Sequence, residues 1–280
     1  MKKYVQLLRM KHYIKNLLIF IPLFFAQDLF CQEKFYCTFA GCIAFCFISS
    51  AVYILNDLKD IERDRIHVVK KARPIASGDV KIENAIMILV FCVLLSIIIN
   101  IFTGNGLKGS IYVTGYFILN MCYSFGFKNK PLIDILILAA GFVIRILYGA
   151  MITDIDISGW LYLVVVMGAF YMSLGKRRNE MQHSLDTRPV LQYYTYGFLD
   201  KNMYVCNALL ITFYALWAME FDMAGMRWTI PVFIIILMRY SLDVEGDSDG
   251  DPVEVLIQDK VLIFLVFGYT IWLFLVLYFS

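Results

Sequence analysis

Long apolar runs, each close to the length of a membrane-spanning helix, recur from one end of this 280-residue chain to the other. An α-helix needs about 20 mostly apolar residues to cross the hydrocarbon core of a bilayer. Hydrophobic residues make up 60% of the chain and charged residues only 17%, whereas about a quarter of a typical soluble domain is charged. The pattern therefore predicts an all-α, polytopic membrane protein with about nine transmembrane helices. The candidate spans lie near residues 16–31, 35–55, 83–103, 108–127, 131–152, 158–175, 203–220, 227–242 and 261–279.

The connections between these spans are short, and none contains a linker or a low-complexity tract. We therefore predict a single transmembrane helical domain over residues 1–280. Seven cysteines are scattered along the chain without the spacing of a zinc site or of a disulfide framework. They are predicted to be reduced packing residues.

Basic residues are divided unevenly between the two sets of alternating loops. The set that begins with the N-terminus holds 21 of the 25 lysine and arginine residues, and the opposite loops hold only Lys34, Lys108 and Arg227. Cytoplasmic loops of membrane proteins carry the excess of positive charge. We therefore predict that the protein lies in the cell membrane, with a cytoplasmic N-terminus, an outside C-terminus and its longer polar stretches in the cytoplasm.

Three carboxylates follow directly after the second apolar run. If the helix continues through this stretch, Asn56, Asp60 and Asp64 are spaced four residues apart. Asp57 lies three residues before Asp60, so all four share one face. Stacked like charges are costly unless a cation neutralises them, and Mg²⁺ prefers a few carboxylates with positions left for phosphate oxygens. The face favours a Mg²⁺-bridged diphosphate site, and the alternative is a solvated helix end whose acids are offset by basic neighbours.

A basic loop, residues 67–78, follows the acidic face and contains Lys70, Lys71 and Arg73. Arginine grips phosphate with two hydrogen bonds and lysine supplies a point charge, so the two segments together can hold a metal-bound diphosphate. Topology and contact with anionic lipid explain some of these basic residues. They do not explain the carboxylates beside them.

With these residues the chain resembles the UbiA superfamily of intramembrane prenyltransferases, whose first signature is NDxxDxxxD. Residues 56–64 match that signature fully. The chain is more similar still to the decaprenyl-phosphate phosphoribosyltransferase-like branch. The resemblance implies nine helices around a central cavity that opens to lipid and to cytosol, Mg²⁺ as cofactor, and a homotrimer as a possible assembly. The segments that carry it are LRMKHYIKN (8–16), KKARPIASG (70–78), KNKP (128–131) with Asp134, GFVIR (141–145), KRRNE (176–180), and Arg239-Tyr240 ahead of Gly250-Asp251-Pro252.

The loop after the sixth span departs from the aromatic prenyltransferases of this superfamily, which carry a second acidic motif there. Here the loop contains Lys176, Arg177, Arg178 and Glu180. A second carboxylate cluster suits metals on a prenyl diphosphate, whereas a basic cluster suits a donor with an extra phosphate, such as 5-phosphoribosyl diphosphate. The segment 243–247 is locally similar to the second acidic motif, but it follows the eighth span.

Candidate site residues follow from the pattern and the resemblance together. Arg145 lies midway along an apolar run, where pairing with a carboxylate and binding of a substrate phosphate both account for an arginine. Tyr123 is more typical of an interfacial aromatic belt. The candidate catalytic and metal-binding residues are Asp57, Asp60 and Asp64, and the candidate substrate-binding residues are Lys15, Asn16, Asn56, Lys70, Arg73, Tyr123, Lys128, Arg145, Lys176, Arg177, Glu180, Arg239 and Tyr240.

The reaction that the resemblance implies transfers a 5-phosphoribosyl group from phosphoribosyl diphosphate to a polyprenyl phosphate. It releases diphosphate and serves synthesis of a cell-envelope glycolipid precursor. The lipid phosphate is already an anion, so no general base is required, and no nucleic-acid partner is expected. The alternatives are a UbiA-type prenyltransferase that acts on an aromatic or other acceptor, and a non-enzymatic lipid or ion transporter. Polar clusters at one face rather than at mid-bilayer favour an enzyme over a transporter.

Overall fold

The structure is a computed structural model, described here at residues 2–67, 70–103, 106–183, 189–246 and 251–279. In these ranges the chain forms α-helices and short 3₁₀ helices and contains no β-strand, which confirms the all-α prediction. Four 3₁₀ helices in the same ranges span Met10–Phe20, Lys70–Ala72, Phe127–Asn129 and Pro189–Tyr193. The α-helices are α1 (Lys2–Leu8), α2 (Ile21–Phe25), α3 (Gln32–Lys59), α4 (Ile61–Ile66), α5 (Ile82–Phe102), α6 (Gly106–Ser124), α7 (Ile133–Thr153), α8 (Gly159–His183), α9 (Tyr196–Met219), α10 (Ala224–Glu245), α11 (Pro252–Gln258) and α12 (Lys260–Phe279).

Eight of the nine predicted spans coincide with a long α-helix, from α3 to α12. Among the residues that the structure describes, six helices are long and apolar enough to cross a membrane, namely α3, α5, α7, α8, α9 and α12. The chain is thus a polytopic membrane protein, and nine spans remain a prediction.

The first predicted span, residues 16–31, does not form one long α-helix. A 3₁₀ helix over Met10–Phe20 passes directly into the short helix α2, which has Pro22 in its first turn. Proline has no backbone N–H and fits the start of a helix, so it favours a new helix here over continuation of the old one. Gln27 then adopts a positive φ of 61° just after α2 ends. The prediction of one continuous α-helix over residues 16–31 is therefore wrong, and membrane crossing by this region stays a prediction.

The chain divides into two compact units. Unit 1 comprises residues 1–128 and 144–156, and unit 2 comprises residues 129–143 and 157–280, so helix α7 contributes residues to both.

The core of unit 1 is built around α3. Phe45 and Ile48 of α3 are fully or almost fully buried together with Tyr148 of α7. Gly41 allows the close approach of α7, because a Cβ added there would lie 2.5 Å from the side chain of Ile152. Large side chains on one helix and a glycine on the other thus allow α3 and the second half of α7 to pack closely.

The core of unit 2 is formed by α8, α9 and α10 with α12. Tyr171, Met203 and Val244 are almost completely buried in it. Two helices of this unit begin with a side-chain cap: Thr195 accepts a hydrogen bond from the Phe198 amide, and Asp251 accepts one from the Val253 amide. These caps mark the first residues of α9 and α11.

Candidate active site

The acidic motif lies at the junction of α3 and α4 in unit 1. Helix α3 ends at Lys59 and α4 begins at Ile61, because the intervening Asp60 has φ −98° and ψ 11°. Backbone hydrogen bonds from the Asp60 amide to the Asn56 carbonyl (3.0 Å) and from the Asp64 amide to the Asp60 carbonyl (2.8 Å) continue across this break. The helical spacing expected from the sequence is therefore kept locally, although the helix is not continuous.

Two of the three aspartates converge on one arginine from the basic loop. Asp57 and Asp64 are each 3% exposed. Arg73 Nη1 lies 3.1 Å from Asp57 Oδ1 and 2.6 Å from Asp64 Oδ2. A buried carboxylate is costly without a cation, so Arg73 offsets the charge of both. The sequence predicted that the acidic face and the basic loop lie close together. In the structure, Arg73 of the loop contacts two aspartates of that face directly.

The third aspartate has a cation of its own. Lys128, in the 3₁₀ helix Phe127–Asn129, places Nζ 2.5 Å from Asp60 Oδ1 and 2.7 Å from Asp60 Oδ2. Beside it, the Ser124 hydroxyl donates to Asn56 Oδ1 at 3.3 Å. Of the motif's residues, Asn56 and Asp60 therefore contact the end of α6 and the loop that follows it.

Arg9 is a site residue that the sequence analysis did not select. Its Nη2 donates to Asp57 Oδ1 at 2.5 Å, and its guanidinium lies 4.8 Å from the centroid of the Tyr53 ring. Arg9 also has a positive φ of 51°, at the junction between α1 and the N-terminal 3₁₀ helix. In the sequence, the only signal for Arg9 was its place in the LRMKHYIKN segment. The sequence does not indicate which carboxylate this arginine contacts.

The N-terminal 3₁₀ helix runs antiparallel along a polar stripe of α3. The Tyr13 hydroxyl lies 2.7 Å from the Ser50 hydroxyl, which donates to the Leu8 carbonyl at 2.9 Å. Farther along, Asn16 Nδ2 lies 3.2 Å from Cys46 Sγ. Higher residue numbers in this segment thus meet lower numbers in α3, and this register brings Arg9 to the Asp57 end.

Three further candidates of unit 1 are Lys15, Lys70 and Tyr123. Lys15 is half-buried in the 3₁₀ helix and Tyr123 is half-buried in α6. The Lys70 amide donates to His67 Nδ1 at 3.3 Å, which places Lys70 at the start of the basic loop's 3₁₀ turn. Their substrate-binding roles remain predictions.

Arg145 is buried among neutral groups of unit 1. It is 5% exposed, its Nε donates to Asn16 Oδ1 at 2.8 Å, and its Nη2 donates to the Tyr116 hydroxyl at 2.9 Å. Its guanidinium also lies 5.1 Å from the Phe45 ring centroid and 5.0 Å from that of Tyr116. These contacts connect helix α7 with the N-terminal 3₁₀ helix.

In unit 2, Arg177 is the centre of a buried ionic network. Its Nε donates to Asp134 Oδ2 at 2.6 Å and its Nη1 to Glu180 Oε2 at 2.5 Å. Arg177 and Asp134 are both 0% exposed, and the Tyr194 hydroxyl donates to Asp134 Oδ1 at 2.5 Å. Burial and the Asp134 carboxylate raise the pKa of Tyr194, so it stays a proton donor. This geometry favours a structural role for Arg177 and Glu180 over the substrate contact predicted from the sequence.

The other basic candidates of unit 2 face acids at less buried positions. Lys176 Nζ lies 3.3 Å from Asp251 Oδ2, and the lysine side chain is 24% exposed. Arg239 Nε lies 2.5 Å from Asp259 Oδ2. The Arg239 guanidinium lowers the pKa of Asp259 to about 2, so Asp259 is charged at neutral pH. Both basic side chains remain accessible enough to exchange a carboxylate for a phosphate.

Tyr240 and the second acidic segment lie next to this pair. Tyr240 is 8% exposed, and within the described ranges its hydroxyl has no hydrogen-bond partner. Asp243 Oδ1 lies 3.8 Å from Arg239 Nη2, so the first acid of the segment 243–247 faces a cation. Asp247 and Gly250, which were also singled out from the sequence, lie outside the described residues.

The residues of unit 1 fit Mg²⁺ that is held jointly with a diphosphate. The described part of the chain contains no group of three or more His, Cys, Asp or Glu side chains that could hold a metal ion by itself. Asp57 and Asp64, however, bring two carboxylate oxygens to one cationic nitrogen. Mg²⁺ in proteins is commonly held by one or two carboxylates together with phosphate oxygens and water.

An all-α membrane protein that pairs buried carboxylates with arginine and lysine side chains in this way has features of an intramembrane transferase. Comparison with known proteins agrees with this class. The chain belongs to the UbiA prenyltransferase family, which it matches over residues 19–252.

Named relatives and solved structures extend the comparison. A decaprenyl-phosphate phosphoribosyltransferase of Corynebacterium glutamicum is 31% identical over 98% of this chain and 86% of its own length. One from Mycolicibacterium smegmatis is 31% identical over 85% of this chain and 79% of its own length. The fold is similar to that of a UbiA homolog from Archaeoglobus fulgidus bound to DMAPP and Mg²⁺, with a TM-score of 0.73, 17% identity, and coverage of 99% of this chain and 100% of that one.

Proposed function

We propose that this protein transfers a 5-phosphoribosyl group from phosphoribosyl diphosphate to the phosphate of a polyprenyl phosphate, with release of diphosphate. The observation that carries the proposal is the pairing of three aspartates with three cations in unit 1: Asp57 with Arg9 and Arg73, Asp64 with Arg73, and Asp60 with Lys128. Similarity to relatives named for phosphoribosyl transfer supports the choice of donor.

The carboxylates and the cations of unit 1 have complementary tasks in this reaction. Asp57 and Asp64 would hold Mg²⁺, with Asp60 beside them. When bound, Mg²⁺ neutralises charge on the departing diphosphate. The cations that now offset the carboxylates would then donate hydrogen bonds to diphosphate oxygens, because arginine forks and lysine ammonium groups bind phosphate as readily as carboxylate.

The bond changes balance without an acid or a base from the protein. An oxygen of the lipid phosphate attacks the anomeric carbon of the ribose, and the bond from that carbon to the diphosphate oxygen breaks. The diphosphate leaves with the electron pair, and no proton moves because the acceptor is already an anion. The task of the protein is to orient the donor and to stabilise the charge of the leaving group.

Unit 2 has its own candidates for phosphate binding. Lys176 and Arg239 are part-exposed; Lys176 pairs with Asp251, and Arg239 pairs with Asp259 and Asp243. We propose these two, rather than the fully buried Arg177, as the phosphate-binding cations of this unit.

A radiolabel transfer assay tests the proposal. Purified protein with Mg²⁺ and polyprenyl phosphate receives labelled phosphoribosyl diphosphate in one reaction, and labelled prenyl diphosphate with an aromatic acid in another. We expect label in the lipid from the first reaction only. Product from the second reaction alone would establish the prenyltransferase alternative and would make segment 243–247 the second acidic motif.

The Asp60→Asn variant tests the metal-binding face in the same assay. We expect transfer to be abolished while membrane insertion stays normal, because the substitution removes a charge without changing size. Glu62→Gln is the matched control, since Glu62 is exposed in the same short segment and should keep its activity. Full activity of Asp60→Asn would remove this face from the mechanism.

A further inference from the structure

The contact between α7 and the N-terminal 3₁₀ helix contains a charged residue in the middle of an apolar helix. Arg145 lies midway along α7 and is 5% exposed. An arginine inside a membrane span costs several kcal/mol unless its donors are satisfied. A well-packed apolar side chain would provide packing at a lower cost, so packing alone does not account for an arginine at this position.

Arg145 contacts the 3₁₀ helix through the side chain of Asn16. Its Nε donates to Asn16 Oδ1 at 2.8 Å, and Asn16 in turn contacts two thiols of α3: Nδ2 lies 3.2 Å from Cys46 Sγ, and Cys42 Sγ lies 3.6 Å from the Asn16 carbonyl. Asn16 is 0% exposed. A slip of one residue along the 3₁₀ helix would replace the Asn16 amide with the side chain of Lys15 or Leu17, neither of which can accept this hydrogen bond.

A second contact lies one helical turn farther along α7. A Cβ added to Gly149 would lie 2.1 Å from the Ile19 carbonyl oxygen, so only glycine allows the two backbones to approach this closely. Arg145 and Gly149 are four apart on an α-helix, and Asn16 and Ile19 are three apart on a 3₁₀ helix, so each pair shares one face. The 3₁₀ helix is therefore held on α7 at two points.

The N-terminal end of the same 3₁₀ helix lies at the candidate active site, because Arg9, which contacts Asp57, directly precedes its first residue. Its register on α3 leads from Asn16 at Cys46, through Tyr13 at Ser50, to Arg9 at Asp57. A buried polar contact at one position is a known way to specify register. The register of the segment determines which carboxylate Arg9 reaches.

We propose that Arg145 is a positioning residue, which acts through Asn16 and together with Gly149 to set the register of the N-terminal 3₁₀ helix and so to place the Arg9 guanidinium on Asp57. We call this pair, Arg145 and Gly149, the α7 clamp. Its effect on donor affinity rests on the proposed function, whereas its effect on the seating of the 3₁₀ helix does not.

Alkylation of native thiols measures how closely the 3₁₀ helix packs against α3, and it needs no substrate. Cys42 and Cys46 lie against Asn16, and Cys206 in unit 2 is a reference thiol far along the sequence. N-ethylmaleimide labelling is followed at each cysteine by mass spectrometry, in wild type, Arg145→Met, Gly149→Ala and Arg145→Lys. We expect faster labelling of Cys42 and Cys46 relative to Cys206 in the first two variants. Arg145→Lys keeps one donor for Asn16 and should stay close to wild type.

Kinetics of the same proteins measure the consequence for the donor. In Arg145→Met and Gly149→Ala, KM for phosphoribosyl diphosphate should rise about tenfold with a smaller change in kcat, because Arg9 is misplaced and the carboxylates are not. Gly149→Ala keeps every polar group, so it tests the clamp even if Arg145→Met does not fold.

The matched control is Tyr148→Phe, on the same helix. Tyr148 is 0% exposed and donates its hydroxyl hydrogen bond to Asn100 Oδ1 of α5 at 2.6 Å, whereas Arg145 donates to Asn16 of the 3₁₀ helix. This variant should lose thermal stability without faster labelling of Cys42 and Cys46 and without a change in KM. Equal labelling rates in Arg145→Met, Gly149→Ala and wild type would overturn the proposal, as would a Tyr148→Phe variant that behaves like Arg145→Met. A wild-type protein without phosphoribosyl transfer would contradict the proposed function, and the labelling rates would still decide the clamp.

Discussion

Arg73 joins the basic loop to the acidic motif through one nitrogen. Its Nη1 contacts Asp57 Oδ1 at 3.1 Å and Asp64 Oδ2 at 2.6 Å, and both carboxylates are buried. Two carboxylates that share one cation repel each other strongly once the cation is removed. Arg73 therefore offsets the charge of both carboxylates in the structure.

Replacement of Arg73 should make the protein more dependent on Mg²⁺. We expect Arg73→Met to lower the free energy of unfolding by about 1–3 kcal/mol, because Asp64 loses the cation it contacts. Added Mg²⁺ should then raise the thermal midpoint of the variant more than that of wild type, since an ion that binds only the folded state stabilises it. Thermal unfolding of detergent-solubilised protein, with and without Mg²⁺, measures both effects.

Lys71→Met is the control for this prediction. Lys71 is exposed in the same loop, so its loss changes the net charge equally without touching the acidic motif. An identical response to Mg²⁺ in Arg73→Met and wild type would show that Asp57 and Asp64 do not hold the ion.

At the scale of elements, a strained turn precedes helix α7 in unit 2. Leu132 has a φ of 66°, which is uncommon for a residue with a Cβ. Its amide donates to the Tyr194 hydroxyl at 2.7 Å, and that hydroxyl donates to Asp134 at 2.5 Å. One side chain from a distant segment thus holds both the strained turn and the first helical turn after it. Backbone strain of this kind persists only where surrounding contacts impose it.

Tyr194→Phe should release this turn. The hydroxyl has two partners, so we expect its removal to cost about 1–3 kcal/mol of unfolding free energy. Tyr193→Phe makes the same chemical change at a neighbouring tyrosine that is 69% exposed, and it should leave stability unchanged. The thermal unfolding midpoints of the two variants test this prediction. Equal midpoints would show that the Tyr194 hydroxyl does not stabilise the turn.

At the scale of the whole molecule, the uneven distribution of basic residues predicts the orientation in the membrane. The N-terminus and the candidate active site should face the cytoplasm, because most basic residues lie in loops on that side. The native Cys31 is exposed and is the last residue of the first predicted span, directly before the first predicted outside loop.

Labelling of intact cells tests the orientation. A membrane-impermeant maleimide should react with Cys31 in intact cells. In a variant with Lys71→Cys and without Cys31, it should react only after the cells are permeabilised. The opposite pattern would invert the topology and would place the candidate active site outside the cell.

The sequence by itself determined the class of fold, the acidic motif and its proximity to the basic loop. These features depend on run length, helical periodicity and charge spacing, which are local properties of a chain. The all-α membrane fold and eight of the nine helical regions follow from them, whereas the family was identified by resemblance to its motifs. A continuous α-helix was predicted wrongly for the first region, because a run of apolar residues does not distinguish it from a 3₁₀ helix followed by a short α-helix that has Pro22 in its first turn.

Only the tertiary structure decided which cation meets which carboxylate. Arg9 and Asp57 are 48 residues apart and Lys128 and Asp60 are 68 apart, so no local pattern pairs them. Likewise, Arg177 has the same charge as Lys176 in the sequence, but helix packing buries the arginine completely and leaves the lysine part-exposed. Burial and long-range pairing depend on how helices pack, and helical periodicity specifies which face of a helix is polar without specifying what that face will contact.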